Sequence, residues 1–433
     1  QFDQIAEDNT KRAVLSDGNL DALASTLCRM RGAALKLGQM LSMADNNVVP
    51  PELTQALDRV RQNADRMPAP QLHETMATEL GDDWRAQFLE FEDLPLAAAS
   101  LGQVHRAKCP TRLGDAERAD ATTDMSVDTD AAPDDVVVKV QYPGVADSID
   151  SDIANVMRLV RWTNFAPPGL YIDEVMRVAR KELKLECDYV HEAKMQTKYR
   201  KLLMDAQDGG NAPESFAFRV PRVHPAFSTE RVITTEFIHG VALDQVSSLS
   251  QETRDEVGAS LLWLTMTELF TWRFMQTDPN WGNFLYEEET STVGLIDFGA
   301  AREFSVEFID QYLRLVWGAA EGDRELILDA SIQLGFLTGD ESQDMIEAHL
   351  AAAAVIGEPF ACEGPYDFAG SDLTERVTSH LHVFGRERLA PPPEDAYALH
   401  RKLSGSFMAC IKLGARIECR SLLQQHYEKR WGM

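Results

Sequence analysis

Three oxygen-bearing side chains suited to phosphoryl transfer lie close together in the sequence between Gln276 and Gly299. Four residues separate Asp278 from Asn283, and Asp297 follows in an Asp-Phe-Gly triplet after a short acidic link. Transfer of a phosphoryl group from a nucleotide requires a carboxylate that orients the attacking hydroxyl or water. It also requires oxygen ligands that hold magnesium against the phosphates. These three residues supply that set, and we expect them at the ends of two adjacent strands.

The joint spacing of these residues argues against two unrelated turns. Asp-Pro-Asn and Asp-Phe-Gly are each good turn formers, but chance turns leave the interval between them unexplained. The interval from Asp278 to Asn283 matches the catalytic loop of protein kinases. Gln276 and Thr277 replace the His-Arg pair that usually precedes this aspartate, and Trp281 stands where a small residue or proline is expected. The sequence therefore predicts kinase-like chemistry on a diverged frame.

Length and composition restrict the class of protein. A chain of 433 residues can hold several average domains or one large two-lobed enzyme with extensions. Its formal net charge of −27 disfavours nucleic acid as the principal partner, because phosphate contacts require clustered Lys and Arg. Six scattered cysteines without a Cys-x-x-Cys motif favour a reducing compartment. The sequence has no apolar stretch of membrane-spanning length. Because it begins with Gln1, we expect that a leader or anchor was removed.

The pattern along the chain predicts three regions. Residues 1–90 have helical periodicity and form an N-terminal helical extension; residues 91–240 form a strand-rich lobe with inserted helices; residues 241–433 form a mostly helical lobe that carries the catalytic and metal-binding loops. The predicted fold class is therefore α+β. Strands are predicted at residues 103–108, 136–141 and 231–237, and helix at residues 147–203 and beyond residue 305, with breaks at 357–370 and 391–393.

Residues 109–135 interrupt the strand-rich region. This segment carries eight acidic residues against two basic ones and is rich in Asp, Ala and Thr. Such a composition cannot bury enough apolar surface to become ordered alone. We therefore predict a disordered acidic insertion in a hairpin.

Lys139 ends an apolar Val-Val-Val-Lys-Val run in the second predicted strand. A lysine at such a position normally needs an anionic partner because an unpaired buried charge is costly. In kinases the partners are a nucleotide phosphate and a helix glutamate. The alternative is a lysine at a strand end whose ammonium reaches solvent. Glu186, Asp188 and Glu192 are the candidate carboxylates, and their spacing on one helix would divide them between different sides and hence between two roles.

An alanine run, Ala97 to Ala99 followed by Ser100, stands where a typical kinase has its glycine-rich phosphate loop. Backbone amides can still face phosphates there, but alanine gives up the positive-φ conformations that glycine allows. We expect a stiffer loop and an altered nucleotide pose.

Taken together, these motifs resemble the UbiB family of atypical kinase-like proteins associated with coenzyme Q (ubiquinone) biosynthesis, most closely its mitochondrial members. The resemblance extends over residues 23–431. The residues that carry it are Lys36 and Gln39 of the Lys-x-Gly-Gln motif; Ala97, Ala98, Ala99 and Ser100 of the alanine-rich loop; Lys139; Glu186 and Asp188 of the Glu-x-Asp motif; Glu192; Thr235, Glu236, Phe237 and Ile238 of the hinge strand; Asp278; Asn283; Asp297; and residues 399–405 of the C-terminal helices.

The resemblance implies a protein-kinase-like two-lobed fold whose N-terminal helical extension lies across the substrate cleft. In that family Lys36 and Gln39 reach toward the nucleotide site and block the surface where a peptide would dock. The hinge strand would bind adenine through its backbone. The sequence beyond Asp297-Phe298-Gly299 agrees with an occluded site, since it has no Ala-Pro-Glu and no room for an ordinary activation segment.

The function implied by the resemblance is magnesium-dependent ATPase or small-molecule kinase activity that supports coenzyme Q biosynthesis. The implied cofactors are ATP or ADP and Mg²⁺. Lys139 would hold phosphate oxygens and Glu192 would fix Lys139. Asp278 would be the catalytic carboxylate, and Asn283 and Asp297 would be the metal ligands. The alternative is a nucleotide-gated scaffold or lipid-extracting pseudokinase that organises the biosynthetic enzymes. A protein kinase acting in trans ranks below both.

The expected partners are coenzyme Q biosynthetic enzymes or quinone-precursor lipids, and a second copy of the chain in a homodimer. The helix predicted at residues 29–43 places Arg29, Arg31 and Lys36 beside Leu and Met residues. This composition suits either an anionic membrane surface or packing on the kinase lobe. The family resemblance favours peripheral contact with the matrix face of the mitochondrial inner membrane.

Overall fold

The structure, a computed structural model, describes residues 66–98, 101–111, 132–163, 171–210, 213, 217–246, 250–278 and 280–432. Within these ranges the chain forms two compact units. Unit 1 contains the described residues up to 163 together with Met176–Thr197 and Pro221–Ile238. Unit 2 contains the described residues within Ala166–Val175, Lys198–Val220 and His239–Met433. Both units combine helices with strands, which confirms the predicted α+β class.

Unit 1 is built on one antiparallel sheet. Its spatial order is β1-β3-β4-β6, and β2 also pairs with β3. The elements of this part of the chain are α1 (Ala69–Leu80), β1 (Glu90–Phe91), β2 (Ala97–Ala98), β3 (Gly102–Cys109), β4 (Asp134–Gln141), α2 (Val145–Thr163), α3 (Ile172–Glu186) and α4 (Tyr189–Asp208), followed by β5 (Ala217–Arg219) of unit 2 and β6 (Val232–Glu236).

The two long strands β3 and β4 form the centre of this sheet. Their burial alternates, and Val136, Val138 and Val140 are fully buried on one face of β4, as expected for a sheet with one face in the core. Cys109 pairs directly with Asp134 at the far end of the hairpin. The strands predicted at 103–108 and 136–141 are therefore confirmed and are longer, so both ends of the predicted 109–135 insertion belong to strands. Residues 112–131 lie outside the described part of the chain.

The long helical region predicted for residues 147–203 is three helices, α2, α3 and α4. Tyr171, with φ of 45°, precedes α3. Cys187 and Asp188 separate α3 from α4. Asp188 begins α4 because its Oδ1 accepts a hydrogen bond from the backbone N–H of His191 at 2.8 Å, an N-cap that a periodicity argument does not detect.

Unit 2 combines a four-stranded sheet, ordered β5-β10-β9-β7, with two two-stranded sheets, β11-β8 and β12-β13, and many helices. Its further elements are β7 (Val241–Ala242), α5 (Leu243–Val246), α6 (Gln251–Thr267), a π-helical turn (Glu268–Trp272), β8 (Phe274–Gln276), β9 (Phe284–Glu287), β10 (Thr292–Leu295), β11 (Ala301–Glu303), α7 (Val306–Glu321), α8 (Arg324–Leu334), α9 (Gln343–Ala361), β12 (Tyr366–Asp367), α10 (Leu373–Ser379), α11 (Leu381–Glu387), α12 (Glu394–Leu413), β13 (Arg416–Ile417) and α13 (Cys419–Trp431).

The helical region beyond residue 305 is confirmed, with one correction. The break predicted at 357–370 begins later, because α9 continues through Gly357 and Pro359 to Ala361. Gly357 occurs at a close crossing: an added Cβ would lie 2.6 Å from the backbone oxygen of Ala319 in α7. The glycine is therefore a packing contact between helices and not a loop signal. None of the helices in the described ranges is long and apolar enough to cross a bilayer.

Candidate functional site

Lys139 in β4 forms a two-oxygen ion pair with Glu192 in α4. Its Nζ lies 3.0 Å from both carboxylate oxygens. The Glu192 side chain is 3% exposed and that of Lys139 is 19% exposed, so the pair is shielded but the ammonium retains an open side. The lysine thus does not simply extend into solvent. A positive charge held in this way can contact a further anion without losing its partner.

The wall beside this ion pair is buried and polar. Tyr189 is 1% exposed, and its ring lies 5.1 Å from the Lys139 Nζ, within cation–π range. Gln141, two residues along β4, donates from Nε2 to the Cys187 carbonyl at 2.8 Å. Burial and the Glu186 carboxylate raise the pKa of the Cys187 thiol to about 11, and Lys139 opposes them. The thiol therefore remains protonated and is not a nucleophile at neutral pH.

The three carboxylates considered for these roles do not share one helix. Glu186 is the last residue of α3 and is half-buried, whereas Asp188 is exposed and caps α4. Glu192 lies in the first turn of α4. The division of roles predicted for these residues comes from a helix break and not from the angular spacing on one continuous helix. Glu192 forms the ion pair with Lys139, and Asp188 caps α4 in addition to any catalytic role.

The alanine-rich segment is described only in part. Ala97 and Ala98 form the exposed strand β2, which pairs with β3, so half of the predicted loop is strand. Gly102 starts β3 at a close approach, because an added Cβ would lie 2.3 Å from the Val140 carbonyl oxygen. Ala99 and Ser100 lie outside the described residues.

The predicted hinge segment begins in β6 and runs beyond it, because β6 ends at Glu236 and Phe237 and Ile238 follow the strand. Thr235 lies inside the sheet opposite Val137. The Glu236 N–H donates to the Arg222 carbonyl at 2.8 Å, and the Phe237 N–H donates to the Asp135 carbonyl at 2.9 Å. These two N–H groups are committed within unit 1. Glu236 and Phe237 could therefore contact a nucleotide through their carbonyl groups but not through these N–H groups, whereas the backbone of Ile238 could contribute either group.

Asp278 and Asn283 lie together in unit 2. The Asn283 Nδ2 donates to the Asp278 Oδ2 at 3.4 Å, and the backbone N–H of Asn280 donates to the Asp278 Oδ1 at 3.2 Å. Asp297 is held by the N–H of Gly299, which donates to its Oδ1 at 3.1 Å. All three side chains are half-buried. They remain accessible, and these hydrogen bonds limit the orientations of the Asp278 and Asp297 carboxylates.

Two strand pairs position these residues. Asn283 precedes β9 and Asp297 follows β10, which pair through Phe284 and Leu295, and the Ile296 N–H donates to the Asn283 carbonyl at 3.1 Å. Asp278 instead follows β8, which pairs with β11 in a separate two-stranded sheet. A Thr277 hydroxyl bond to the Ala300 carbonyl, at 2.8 Å, ties the two loops together. The expectation of two adjacent strand ends thus applies to Asn283 and Asp297 but not to Asp278.

The chain leaves the Asp-Phe-Gly triplet by a short route. Phe298 is fully buried and its ring centroid lies 4.9 Å from that of Tyr199. Residues 300–305 alone separate Gly299 from α7, which Ser305 caps through its hydroxyl. This agrees with the prediction that an ordinary activation segment does not fit here.

Trp281 packs against helix α12. The Lys412 ammonium lies 4.6 Å from the centre of its ring, and Trp281 and Phe284 line a small, mainly apolar cavity of about 20 Å³ together with residues of α5, α6 and α12. The large Trp281 side chain is thus accommodated by packing.

A buried cluster that the sequence reasoning missed supports the strand before Asp278. Glu268 is fully buried, and its Oε1 accepts hydrogen bonds from the Tyr199 hydroxyl at 2.8 Å and from the Gln276 N–H at 3.1 Å. The Lys402 Nζ lies 2.8 Å from its Oε2 and is 3% exposed. Burial raises the pKa of Glu268, while Lys402 and the two hydrogen bonds oppose that shift. We call these four residues the Glu268 cluster.

Two signals in the sequence pointed to this cluster. Glu268 is the only carboxylate in the otherwise uncharged stretch 257–272, where a buried acid needs a partner. Lys402 lies in the C-terminal segment that carried part of the family resemblance. Pairing the two requires knowledge that α6 and α12 pack together, which one sequence does not provide. Lys36 and Gln39 lie outside the described residues.

Comparison with known proteins identifies the family of this fold and site. A family model described as the ABC1 atypical kinase-like domain matches residues 59–114 and 128–331, which include Lys139, Glu192, Asp278, Asn283 and Asp297. A solved structure described as the complex of Rv3197 with erythromycin, from Mycobacterium tuberculosis, superimposes with a TM-score of 0.58 at 23% identity and covers 98% of both chains. That likeness supports the fold.

Proteins matched by sequence share a higher identity with this chain than the solved structure does. The chain is 43% identical over 417 residues to the rat protein named Atypical kinase COQ8B, mitochondrial. The match covers 96% of this chain and 73% of the relative. It is 39% identical over 427 residues to Atypical kinase COQ8, mitochondrial, of Saccharomyces cerevisiae, covering 98% and 79%. For the Caenorhabditis elegans protein named Atypical kinase coq-8, mitochondrial, identity is 42%, and the chain spans 52% of that relative's length.

Proposed function

Because the chain belongs to the ABC1 atypical kinase-like family, also called UbiB, we propose that it binds ATP or ADP with magnesium and acts as an ATPase or small-molecule kinase. This activity supports coenzyme Q biosynthesis. The observation that carries the proposal is the two-oxygen Lys139–Glu192 ion pair, since an ammonium pre-oriented by a buried carboxylate is the phosphate-holding device of kinases.

The residues present fit a magnesium ion. Asn283 donates through Nδ2 to Asp278, which directs its amide oxygen away from that carboxylate. Asp297 adds a carboxylate whose orientation is set by the Gly299 N–H. Amide and carboxylate oxygens are the ligands that magnesium prefers, so Asn283 and Asp297 would hold it. Magnesium, when bound, would neutralise charge on the phosphate oxygens.

The chain's own residues perform the remaining tasks. Lys139 holds phosphate oxygens while Glu192 fixes its position. Asp278 orients the attacking hydroxyl or water and accepts its proton, and the hydrogen bonds from Asn283 and Asn280 hold its carboxylate in one orientation. The short passage from Gly299 to α7 supports water or a small molecule as acceptor over a protein substrate.

The partners and the location also remain proposals. We place the protein on the matrix face of the mitochondrial inner membrane, where it works with coenzyme Q biosynthetic enzymes or quinone-precursor lipids. Support comes from the relatives named mitochondrial. Flotation with cardiolipin-containing liposomes tests the membrane contact, and protein that stays at the bottom of the gradient contradicts it.

The Asp297→Asn variant tests the activity. It retains the size of the side chain but removes the metal-binding charge, so magnesium-dependent nucleotide hydrolysis should be abolished while circular dichroism and the unfolding midpoint stay unchanged. Glu289→Gln, an exposed carboxylate in the turn between β9 and β10, is the matched control and should retain full turnover. Unchanged turnover in Asp297→Asn would refute the metal assignment. Rescue of coenzyme Q levels in deficient cells by this variant would favour a nucleotide-gated scaffold.

A further inference from the structure

A second group of ligand-type side chains lies in unit 1, at the far end of the β3–β4 hairpin. The Cys109 sulfur, a carboxylate oxygen of Asp134 and a ring nitrogen of His224 all lie within 4.8 Å of one another. The Cys109 Sγ and the His224 Nδ1 are 4.0 Å apart. Cys109 and His224 are fully buried, and Asp134 is half-buried. We call these residues the Cys-Asp-His cluster.

The backbone around this cluster is held by the sheet. Cys109 and Asp134 are direct cross-strand partners. The His224 N–H donates to the Thr234 carbonyl at 2.8 Å, and the neighbouring Val223 forms a bridge with Thr235 of β6. Three segments distant in sequence therefore present their side chains to one point. Cys109 and Asp134 do so from strands, and His224 from a residue hydrogen-bonded to β6. A ligand bound there does not have to order its own site, which lowers the entropic cost of binding.

The donor atoms indicate which ligand fits. A thiolate, an imidazole and a carboxylate together are a borderline-soft set that suits zinc, and magnesium prefers oxygen alone. Zinc bonds of about 2.3 Å to sulfur and about 2.0 Å to nitrogen, in tetrahedral geometry, place those two atoms roughly 3.5 Å apart. The observed 4.0 Å is about half an ångström longer than that. The separations from the Asp134 carboxylate oxygen are at most 4.8 Å, so the three side chains would have to draw together by at most about 1.5 Å on binding.

We propose that Cys109, Asp134 and His224 form a zinc site, with water as the fourth ligand. The Arg222 Nη2 donates to the Asp134 Oδ2 at 3.0 Å, so the guanidinium orients the carboxylate from outside while the Asp134 Oδ1 binds the ion, as the outer partners of metal-bound carboxylates do. Binding releases the thiol proton of Cys109 to solvent. The thiolate supplies one negative charge to the ion, and the carboxylate, which is shared with Arg222, supplies the second.

The position of the site indicates its role. Cys109 and Asp134 are the two residues from which the acidic segment 110–133 leaves the sheet. A zinc ion there would join the last residue of β3 and the first residue of β4 to His224. A metal link between positions far apart in the sequence restricts the unfolded chain most. In this role the ion links β3 and β4 to His224, and the site is independent of the proposed nucleotide chemistry.

Metal content and cobalt spectroscopy test the site. Full-length protein without a histidine tag is equilibrated with zinc, desalted and analysed for metal, then exchanged with cobalt(II). The wild type should retain near-stoichiometric zinc and show a thiolate-to-cobalt charge-transfer band. Cys109→Ser and His224→Asn should lose both. Cys187→Ser and Cys362→Ser, which change cysteines outside the cluster, should behave as the wild type.

A measurement on the wild type covers the case in which a cluster variant fails to fold. The denaturant concentration is first set so that the Cys109 thiol reacts with an alkylating reagent in metal-free protein. Zinc should then protect this thiol, and peptide mass spectrometry measures its alkylation. The proposal is overturned if the wild type retains no zinc, if folded Cys109→Ser retains zinc and the same cobalt spectrum, or if zinc leaves Cys109 alkylation unchanged.

Discussion

Removing the positive partner of the Glu268 cluster should destabilise the protein severely, although Lys402 lies far along the chain from Asp278. In Lys402→Met the buried Glu268 carboxylate loses the ammonium 2.8 Å away, and both groups are at most 3% exposed. Breaking a buried ion pair at one partner costs about 3–5 kcal/mol, because an uncompensated charge stays in a low-dielectric interior. Two hydrogen bonds from Tyr199 and Gln276 remain, so we expect a loss near the lower end of that range.

The matched variants separate charge from packing. The double variant Glu268→Gln/Lys402→Met removes both charges and should return to within about 1 kcal/mol of the wild type, as apolar replacements of buried pairs often do. Lys412→Met changes an exposed lysine of the same helix that contacts only the Trp281 ring among the interactions described above. It should cost about 0.5–1 kcal/mol, the strength of an exposed cation–π contact.

The assay has to report on unit 2 and not only on the whole chain. Guanidinium unfolding gives the overall loss, and hydrogen–deuterium exchange of peptides from β8 and α12 gives the local opening free energy. Burial raises the pKa of Glu268 above its ordinary 4.5. A carboxyl whose folded pKa is raised destabilises increasingly as pH rises above the unfolded value, so the penalty in Lys402→Met should shrink as pH falls toward 4.5. A pH-independent penalty, or a double variant as unstable as the single one, would refute the reasoning.

Three further outcomes are expected. Gly102→Ala should lower stability by about 1–3 kcal/mol in guanidinium unfolding, since the new Cβ would lie 2.3 Å from the Val140 oxygen; an unchanged midpoint would contradict the close approach. Asp188→Ala should cost about 1 kcal/mol of helix stability, measured as faster amide exchange at the start of α4, where the His191 N–H loses its acceptor; Asp188→Asn should retain most of it. Burial lowers the pKa of His105 below 6.5. The stability that neutral His105 contributes is therefore complete above pH 6.5 and is lost as the pH falls below 6.5 toward the folded pKa. His105→Gln should make the unfolding midpoint decline less steeply on acidification, and a pH profile identical to that of the wild type would contradict this prediction.

The sequence was most informative where spacing is local. Asp278 and Asn283 are five positions apart, and a turn of that length brings their side chains to 3.4 Å. The valine run of β4 likewise predicted both the strand and the position of Lys139. The pairing of Lys139 with Glu192 was predicted from the family resemblance, and in the structure the Lys139 Nζ lies 3.0 Å from the Glu192 Oε1.

What the sequence missed depends on contacts between distant segments. Glu268 and Lys402 are 134 positions apart, and only the packing of α6 on α12 joins them. The break between α3 and α4 was missed for a different reason. Asp188 ends one periodic pattern and caps the next, and a helical period continues unchanged across a two-residue gap. The helix α9 continues past Gly357, where composition alone predicted a loop. Gly357 fits there because it allows the close approach of the Ala319 backbone.

The Glu268 cluster also bears on how a kinase-like centre can be stable without an activation segment. In protein kinases the arrangement of the catalytic residues depends on that segment and on its phosphorylation. Here β11 pairs with β8 at all three of its residues, and β8 is held from beneath by the hydrogen bond from Gln276 to Glu268. The strand that presents Asp278 is thus fixed by a sheet partner on one side and by a buried carboxylate on the other. Such a centre is assembled when unit 2 folds, so we expect control of its activity to act on access and on nucleotide binding, not on assembly of the aspartates.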